Sequence, residues 1–454
     1  MPRICALILL ACWLSACASQ PNSTASNTTA SATPATSAAP TATPELPLAP
    51  TPTPALTGAD AELWAKAIKI HQASLVIDTH NDVTSAILDD GFDLAENGII
   101  NGRMKTHTDI ARLKAGGMGA QFFAVYVGKE FVNKKPEEGG GAARRALDMI
   151  GVVYDQVAKH PETFEMAYTA ADIRRIRKAG KIAALMGIEG GHAIEDSLHA
   201  LGNFYRLGIR YMTLTHTNTN NWADSEADLK KPNVKHHGGL NELGKKVILE
   251  MNKLGMMVDI SHVADDTMTD VFEISKAPVI ASHSSARAIA NHTRNVNDDE
   301  LRAIAKNGGV VMVNFYDGFV DPKKAEVTFN GRAKEEELKQ QFPNDPKRVE
   351  AEMKQWRAQY KFDKTPMSVL LDHIEHIIKV AGIDHIGLGA DLDGIPLDAA
   401  PVGLEDVSKY PVLTYELLKR GHSEADIKKI LGENLLRAMA RCEQVAKEMQ
   451  TNAK

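Results

Sequence analysis

Histidines and acidic residues recur in this chain directly after short apolar runs: His80 with Asp82, then Glu189, His216, His262, His283 and Asp391. A single histidine in such a place is ordinarily a hydrogen-bonded loop residue, and a single aspartate a helix N-cap. Here imidazole or carboxylate follows six of eight such runs, a seventh ending on Asn314, and a metal centre explains the repetition better. Imidazole and carboxylate without thiolate suit Zn²⁺ or another divalent transition metal and argue against Ca²⁺ or Mg²⁺. Three histidines and two carboxylates exceed what one open catalytic zinc needs, so two ions bridged by a carboxylate are expected.

Elements must bring these residues together. The runs read as strands are Leu75–Thr79, Gln121–Val127, Ile182–Gly187, Ile209–Thr215, Met256–Ile260, Pro278–Ser282, Gly309–Asn314 and His385–Gly389. Helix-like stretches such as Leu240–Leu254 and Asp265–Ser275 alternate with them. Continuous apolar strands alternating with helices predict a parallel sheet covered by helices, and eight units predict an α/β fold of the closed (β/α)₈ TIM-barrel type. An open doubly wound sheet is disfavoured, because no G-x-G-x-x-G opens a helix after the first strand. In a barrel the chemistry-bearing residues fall on the C-terminal rim, where active sites are built. His80 and Asp82 then share one ion, His262 and His283 from adjacent units share the other, and Glu189 lies between the pairs as the bridge.

Composition excludes other classes. The 454 residues carry 52 Lys+Arg against 58 Asp+Glu, a net charge of −6, with no basic run to track a nucleic acid. Values of 44% hydrophobic and 24% charged are those of a globular protein. Three of the four cysteines fall within the first seventeen residues, so no disulfide framework is expected. Residues 1–17 have the layout of a signal peptide, and Leu14-Ser15-Ala16-Cys17 resembles the lipobox of bacterial lipoproteins. That predicts a lipid anchor at Cys17, in the outer membrane facing the periplasm; free secretion is the alternative, since Ala16-Cys17-Ala18 also fits ordinary cleavage. Residues 18–58 are almost entirely Ser, Thr, Ala, Pro and Asn and predict a disordered tether of roughly 35 Å as a coil. The catalytic domain is expected over residues 59–450.

Several motifs in order resemble those of the membrane (renal) dipeptidases. They include Asp78-Thr79-His80-Asn81-Asp82, Gly187-Ile188-Glu189-Gly190, Thr215-His216-Thr217, Asp259-Ile260-Ser261-His262, Ser282-His283-Ser284, Arg294-Asn295-Val296 and Gly389-Ala390-Asp391-Leu392-Asp393-Gly394. The resemblance spans about Ala73 to Glu443 and implies an amidohydrolase-like dipeptidase with two Zn²⁺ per chain. It implies one ion on His80, Asp82 and Glu189 and the other on Glu189, His262 and His283, as barrel order had grouped them. A metal-bridging hydroxide is the expected nucleophile, Asp391 the proton shuttle, and His216 a hydrogen-bond donor to the oxyanion. By the same resemblance Arg294 holds the free C-terminal carboxylate of a dipeptide, and a D-residue is tolerated there. Without it, Arg294 reads as a surface salt bridge.

Two rival functions remain at this level. One is another binuclear-metal amidohydrolase acting on a lactone, cyclic amide or phosphoester, though these often bridge their ions with a carboxylated lysine where this chain has Glu189. The other is a tethered, non-catalytic binding protein. The charged stretch 321–365 departs from animal relatives and reads as a solvated helix, with a lid or a homodimer contact as alternatives. His192, His199, His236, His237, His373 and His376 read as structural or solvent-facing, and Cys442 as a packing residue.

Overall fold

The computed structural model describes residues 56–452 except 101 and 232. The signal and lipobox, including Cys17, and nearly all of the tether lie outside the described residues. The first helix, Gly58–Ala73, starts one residue before the expected boundary, and the last, Asn434–Asn452, runs two residues past it.

Eight parallel strands close into a ring: β1 (Val76–Asn81), β2 (Met118–Tyr126), β3 (Ile182–Glu189), β4 (Ile209–Thr213), β5 (Met257–Asp259), β6 (Val279–Ala281), β7 (Val310–Val313) and β8 (Ile386–Leu388). Closure comes from β2 against β3, in register from Ala120↔Ala183 to Tyr126↔Glu189. A ninth short strand, Phe164–Met166, pairs with the first half of β3, on the edge that β4 takes further along. The chain thus forms the (β/α)₈ barrel that the strand-helix alternation predicts.

Several strands are shorter than the apolar runs that announce them, and the reason is chemical. Past the ends of β5 and β6, Asp259 accepts the N–H groups of Ser261 and Ser282. Past the end of β8, whose ladder to β1 pairs Leu388 with Asp78, Asp78 accepts the N–H of Ala390, and also that of His80 within β1. Two buried carboxylates therefore replace strand pairing at the rim, turning the chain ends toward the barrel mouth. Inside the ring, Ile77, Phe122, Leu185, Tyr211, Met257, Ile280 and Met312 form a core that continues into Leu435, Met439 and Cys442 of the last helix. Gly187 is needed there: a β-carbon on it would lie 2.0 Å from the Tyr211 ring.

Between β7 and β8 the chain adds two helices, Pro322–Gln341 and Pro346–Arg357. Each has proline in its first turn and an aspartate cap, Asp321 or Asp345, accepting from backbone N–H groups beyond it. Lys339 pairs with Glu335 and Glu336 on the outer face, while Leu338 is buried.

His71 fastens the first helix, its ring bonding Thr414 Oγ1 at 2.7 Å and the Gly116 carbonyl at 2.8 Å. Burial pushes its pKa down to about 4. The unfolded chain takes up this proton near pH 6.5, so stability should fall as pH drops from there toward 4, by about 3 kcal/mol for this group. Urea unfolding at pH 7.5 and 4.5 should show the loss, and His71→Gln should flatten the slope; equal slopes would remove His71 from the effect.

Candidate metal centre

The five expected ligands meet at the mouth of the barrel. His80 Nε2 lies 3.2 Å from Asp82 Oδ2 and 3.4 Å from Glu189 Oε2. Glu189 Oε1 lies 2.9 Å from His262 Nε2 and 3.1 Å from His283 Nε2, and those two nitrogens are 3.0 Å apart. All five residues are buried. Glu189 touches both groups, one oxygen to each, which is the geometry of a bridge. His216 and Asp391 also come within ligand range, in the groupings Glu189–His216–His262 and His80–His283–Asp391.

Hydrogen bonds behind the ligands fix which nitrogen faces the centre. Tyr211 Oη donates to the Thr79 carbonyl at 2.9 Å, so it accepts from His80 Nδ1 at 2.8 Å. Ser282 Oγ donates to Asp259 Oδ2 at 2.6 Å and accepts from His283 Nδ1 at 2.7 Å. With Nδ1 carrying the proton, each Nε2 presents a lone pair toward carboxylates, and His80 Nε2 has no hydrogen-bond partner. Lone pairs and carboxylates facing one another in a buried space require a positive charge. The pKa pattern agrees: burial would lower that of His80, but Tyr211, Glu189 and Asp82 hold it well above its usual value. A bound cation meets that demand as well as a proton does, so these donors fit divalent ions.

Tyr211→Phe should keep the fold and weaken metal binding by roughly 10- to 100-fold, as loss of such a partner ordinarily does. A competition titration against a chromogenic chelator reads this directly; wild-type affinity would show that Tyr211 does not position His80.

The centre opens into a cavity of about 400 Å³, lined among others by Asp82, Tyr126, Glu189, His216, His262, Phe319, Arg332 and Asp391. Asp391 accepts from Asn314 Nδ2 at 2.9 Å. Burial, aided by Asp82 and Glu189 and opposed by His80, raises its pKa to about 7. Asp393 also lines the cavity, but its carboxylate turns to the His107 N–H at 2.6 Å. His216 packs against Tyr126 and His262, with its Nε2 3.9 Å from Glu189 Oε1. His262, Asp391 and Asp393 all have left-handed backbone, with φ of 67°, 64° and 68°.

Arg294 is not at the surface. It is 2% exposed, donates to Ser284 Oγ at 2.9 Å and to the His283 carbonyl at 3.0 Å, and lies over the Phe319 ring. Its Nε has no partner, and it forms no ion pair among the described residues.

A family model described as membrane dipeptidase (peptidase family M19) matches residues 64–453. The chain belongs to the membrane dipeptidase family. Among solved structures it resembles a probable dipeptidase, PvdM, of Pseudomonas aeruginosa, with 25% identity over 85% of this chain and 99% of that one and a TM-score of 0.69. It also resembles a metallo peptidase of Rhodobacter sphaeroides liganded with a phosphinate mimic of L-Ala-D-Ala, with 25% identity over 81% and 99% of the two chains and a TM-score of 0.65. Membership in the membrane dipeptidases makes the protein a metallo-dipeptidase hydrolase. No described helix is long and apolar enough to cross a membrane.

Of the other histidines, His192 bonds the Val127 carbonyl at 2.8 Å, and His373 links Ala286 N to the Val320 carbonyl. Both are buried structural residues. Cys442 is buried, with its sulfur near the Pro278 carbonyl.

Proposed function

We propose that this metallo-dipeptidase holds two zinc ions, one on His80, Asp82 and Glu189 and one on Glu189, His262 and His283, and hydrolyses free dipeptides, including those ending in a D-residue. The observation that carries the reading is the convergence of three Nε2 atoms and the Asp82 carboxylate on Glu189. The phosphinate mimic of L-Ala-D-Ala on the Rhodobacter relative supports the D-residue. The ions supply Lewis acidity, lowering the pKa of water from about 15.7 toward about 7 and polarising the scissile carbonyl.

The chain's own groups do the rest. Asp391, buried with a pKa near 7, takes the proton of the attacking water as oxygen adds to the carbonyl carbon. It returns that proton to the nitrogen as the C–N bond breaks, and Asn314 holds its carboxylate in place throughout. His216, whose pKa burial lowers, is a neutral imidazole able to donate to the oxyanion. Arg294 answers the terminal carboxylate: a buried cation without an internal anion gains most from one brought by the substrate.

Metal analysis with an Ala-Ala and Gly-D-Ala assay, with and without chelator, tests the whole reading; metal-free turnover would overturn it. Arg294→Met should raise KM for free dipeptides by roughly 100-fold, about 3 kcal/mol. Amidating the dipeptide's C-terminus should penalise wild type equally and the variant no further. An unchanged KM would reject the role.

For location, Leu14-Ser15-Ala16-Cys17 and the Pro-rich segment after it support a lipid anchor at Cys17 holding the barrel in the periplasm. Globomycin-sensitive processing and loss of membrane association in Cys17→Ala would test this.

A further inference from the structure

We infer that Arg332, delivered by the helix Pro322–Gln341, makes the enzyme favour dipeptides whose C-terminal residue carries an acidic side chain. The inference rests on the dipeptidase reading and extends it to substrate choice.

Arg332 is the one contribution of the inserted segment to the wall of the metal-ligand cavity among the described residues. It also lines a second cavity, of about 400 Å³, between residues 226–231 and the inserted helix, so its side chain forms part of the partition between the two. Its Nη1 donates to Glu226 Oε2 at 2.7 Å. The two partners face different ways. Glu226 has a fully buried side chain and borders only the second cavity, whereas Arg332 is 30% exposed and borders both. The ion pair therefore turns its positive end toward the metal centre.

Glu226 is held firmly. Its N–H donates to the carbonyl of His262 at 3.0 Å, and its carboxylate also accepts from Thr293 Oγ1. Against this fixed anion Arg332 uses one N–H, and its remaining donors have no partner among the described residues. A guanidinium offers five N–H donors in a planar fork, so a second carboxylate can be received without dismissing the first. Thr293 directly precedes Arg294, which places the Glu226–Arg332 pair on the side of the site where the terminal carboxylate is proposed to bind. The side chain nearest Arg332 is then that of the C-terminal residue. A carboxylate there meets a cation, and a lysine meets repulsion.

A purely structural tie between insertion and barrel predicts something different: its loss would alter all dipeptides alike. The discriminating readout is the ratio of kcat/KM for Ala-Glu to that for the isosteric Ala-Gln, with Ala-Lys as the opposite charge. In wild type we expect the ratio to be roughly tenfold and to shrink as salt is raised. Glu226→Gln, which leaves the guanidinium without its internal anion, should increase it. Arg332→Met should bring it to within about twofold of one. Because that variant strands a buried carboxylate, the double variant Glu226→Gln/Arg332→Met serves as a second test with the same expected ratio. A wild-type ratio near one, or a ratio retained in both Arg332 variants, overturns the inference while leaving the dipeptidase reading intact. Absence of metal-dependent hydrolysis of all three dipeptides overturns that reading as well.

Discussion

Asp391→Asn is expected to retain its metal ions yet hydrolyse dipeptides roughly 10²- to 10⁴-fold more slowly, the range general acid–base catalysis ordinarily supplies. The substitution keeps the shape of the side chain but removes the only proton relay proposed between water and the leaving amine. Burial, aided by Asp82 and Glu189, raises the carboxyl's pKa above the usual carboxylate range, toward the working pH at which a proton relay is most effective. Asn314, whose side-chain N–H donates to Asp391 Oδ2, would face an amide that can still present its oxygen, so the fold should hold. Steady-state kinetics alongside elemental analysis decide the matter. Near-normal turnover with full metal content would take Asp391 out of the proton path; loss of metal would make it a ligand, as its closeness to His80 and His283 allows.

Glu189→Gln should have a still larger effect. Its two oxygens face His80 on one side and His262 and His283 on the other, so neutralising it weakens both halves of the centre together. Metal content should fall below one ion per chain and activity should become undetectable. Thermal unfolding provides an independent readout. A ligand present at a thousand times its Kd stabilises a protein by about 4 kcal/mol, so chelation should lower the wild-type midpoint. The variant, already depleted, should show no chelator-dependent shift. Two ions bound normally by Glu189→Gln would refute the bridge.

The barrel and the convergence of the five proposed ligands at its mouth were legible because both follow local rules. Apolar strands ending in imidazole or carboxylate are visible in the letters; a two-residue spacing groups His80 with Asp82, and barrel order groups His262 with His283. What escaped depends on closure of the ring. Tyr211 meets His80 across 131 positions of sequence, and nothing in Arg210-Tyr211-Met212 distinguishes a ring aimed at a ligand from one that fills the core. Asp78 and Asp259 did leave a trace, each an ionisable residue inside an apolar run, two or three positions before a ligand histidine. Read for satisfaction of backbone N–H groups, that trace would have predicted the early ends of β5, β6 and β8, whose next N–H groups these carboxylates take. The burial of Arg294 and the approach of Arg332 were hidden for the same reason: exposure is set by what folds over a residue. Asp391 and Asp393 look alike in sequence; the fold separates them, turning Asp393 to the His107 N–H and setting Asp391 beside Asn314, His80 and His283.

The left-handed backbone at His262, Asp391 and Asp393 implies a conflict between durability and activity. Each such residue costs about 1 kcal/mol relative to glycine, which takes up the same turn without steric penalty. Glycine at Asp391 would also relieve the molecule of a carboxylate forced out of water. Selection for heat tolerance alone would therefore drift toward glycine at these corners and yield a sturdier barrel without the His262 and Asp391 side chains its reaction is proposed to use; any thermostabilising campaign on this protein should hold those two positions fixed.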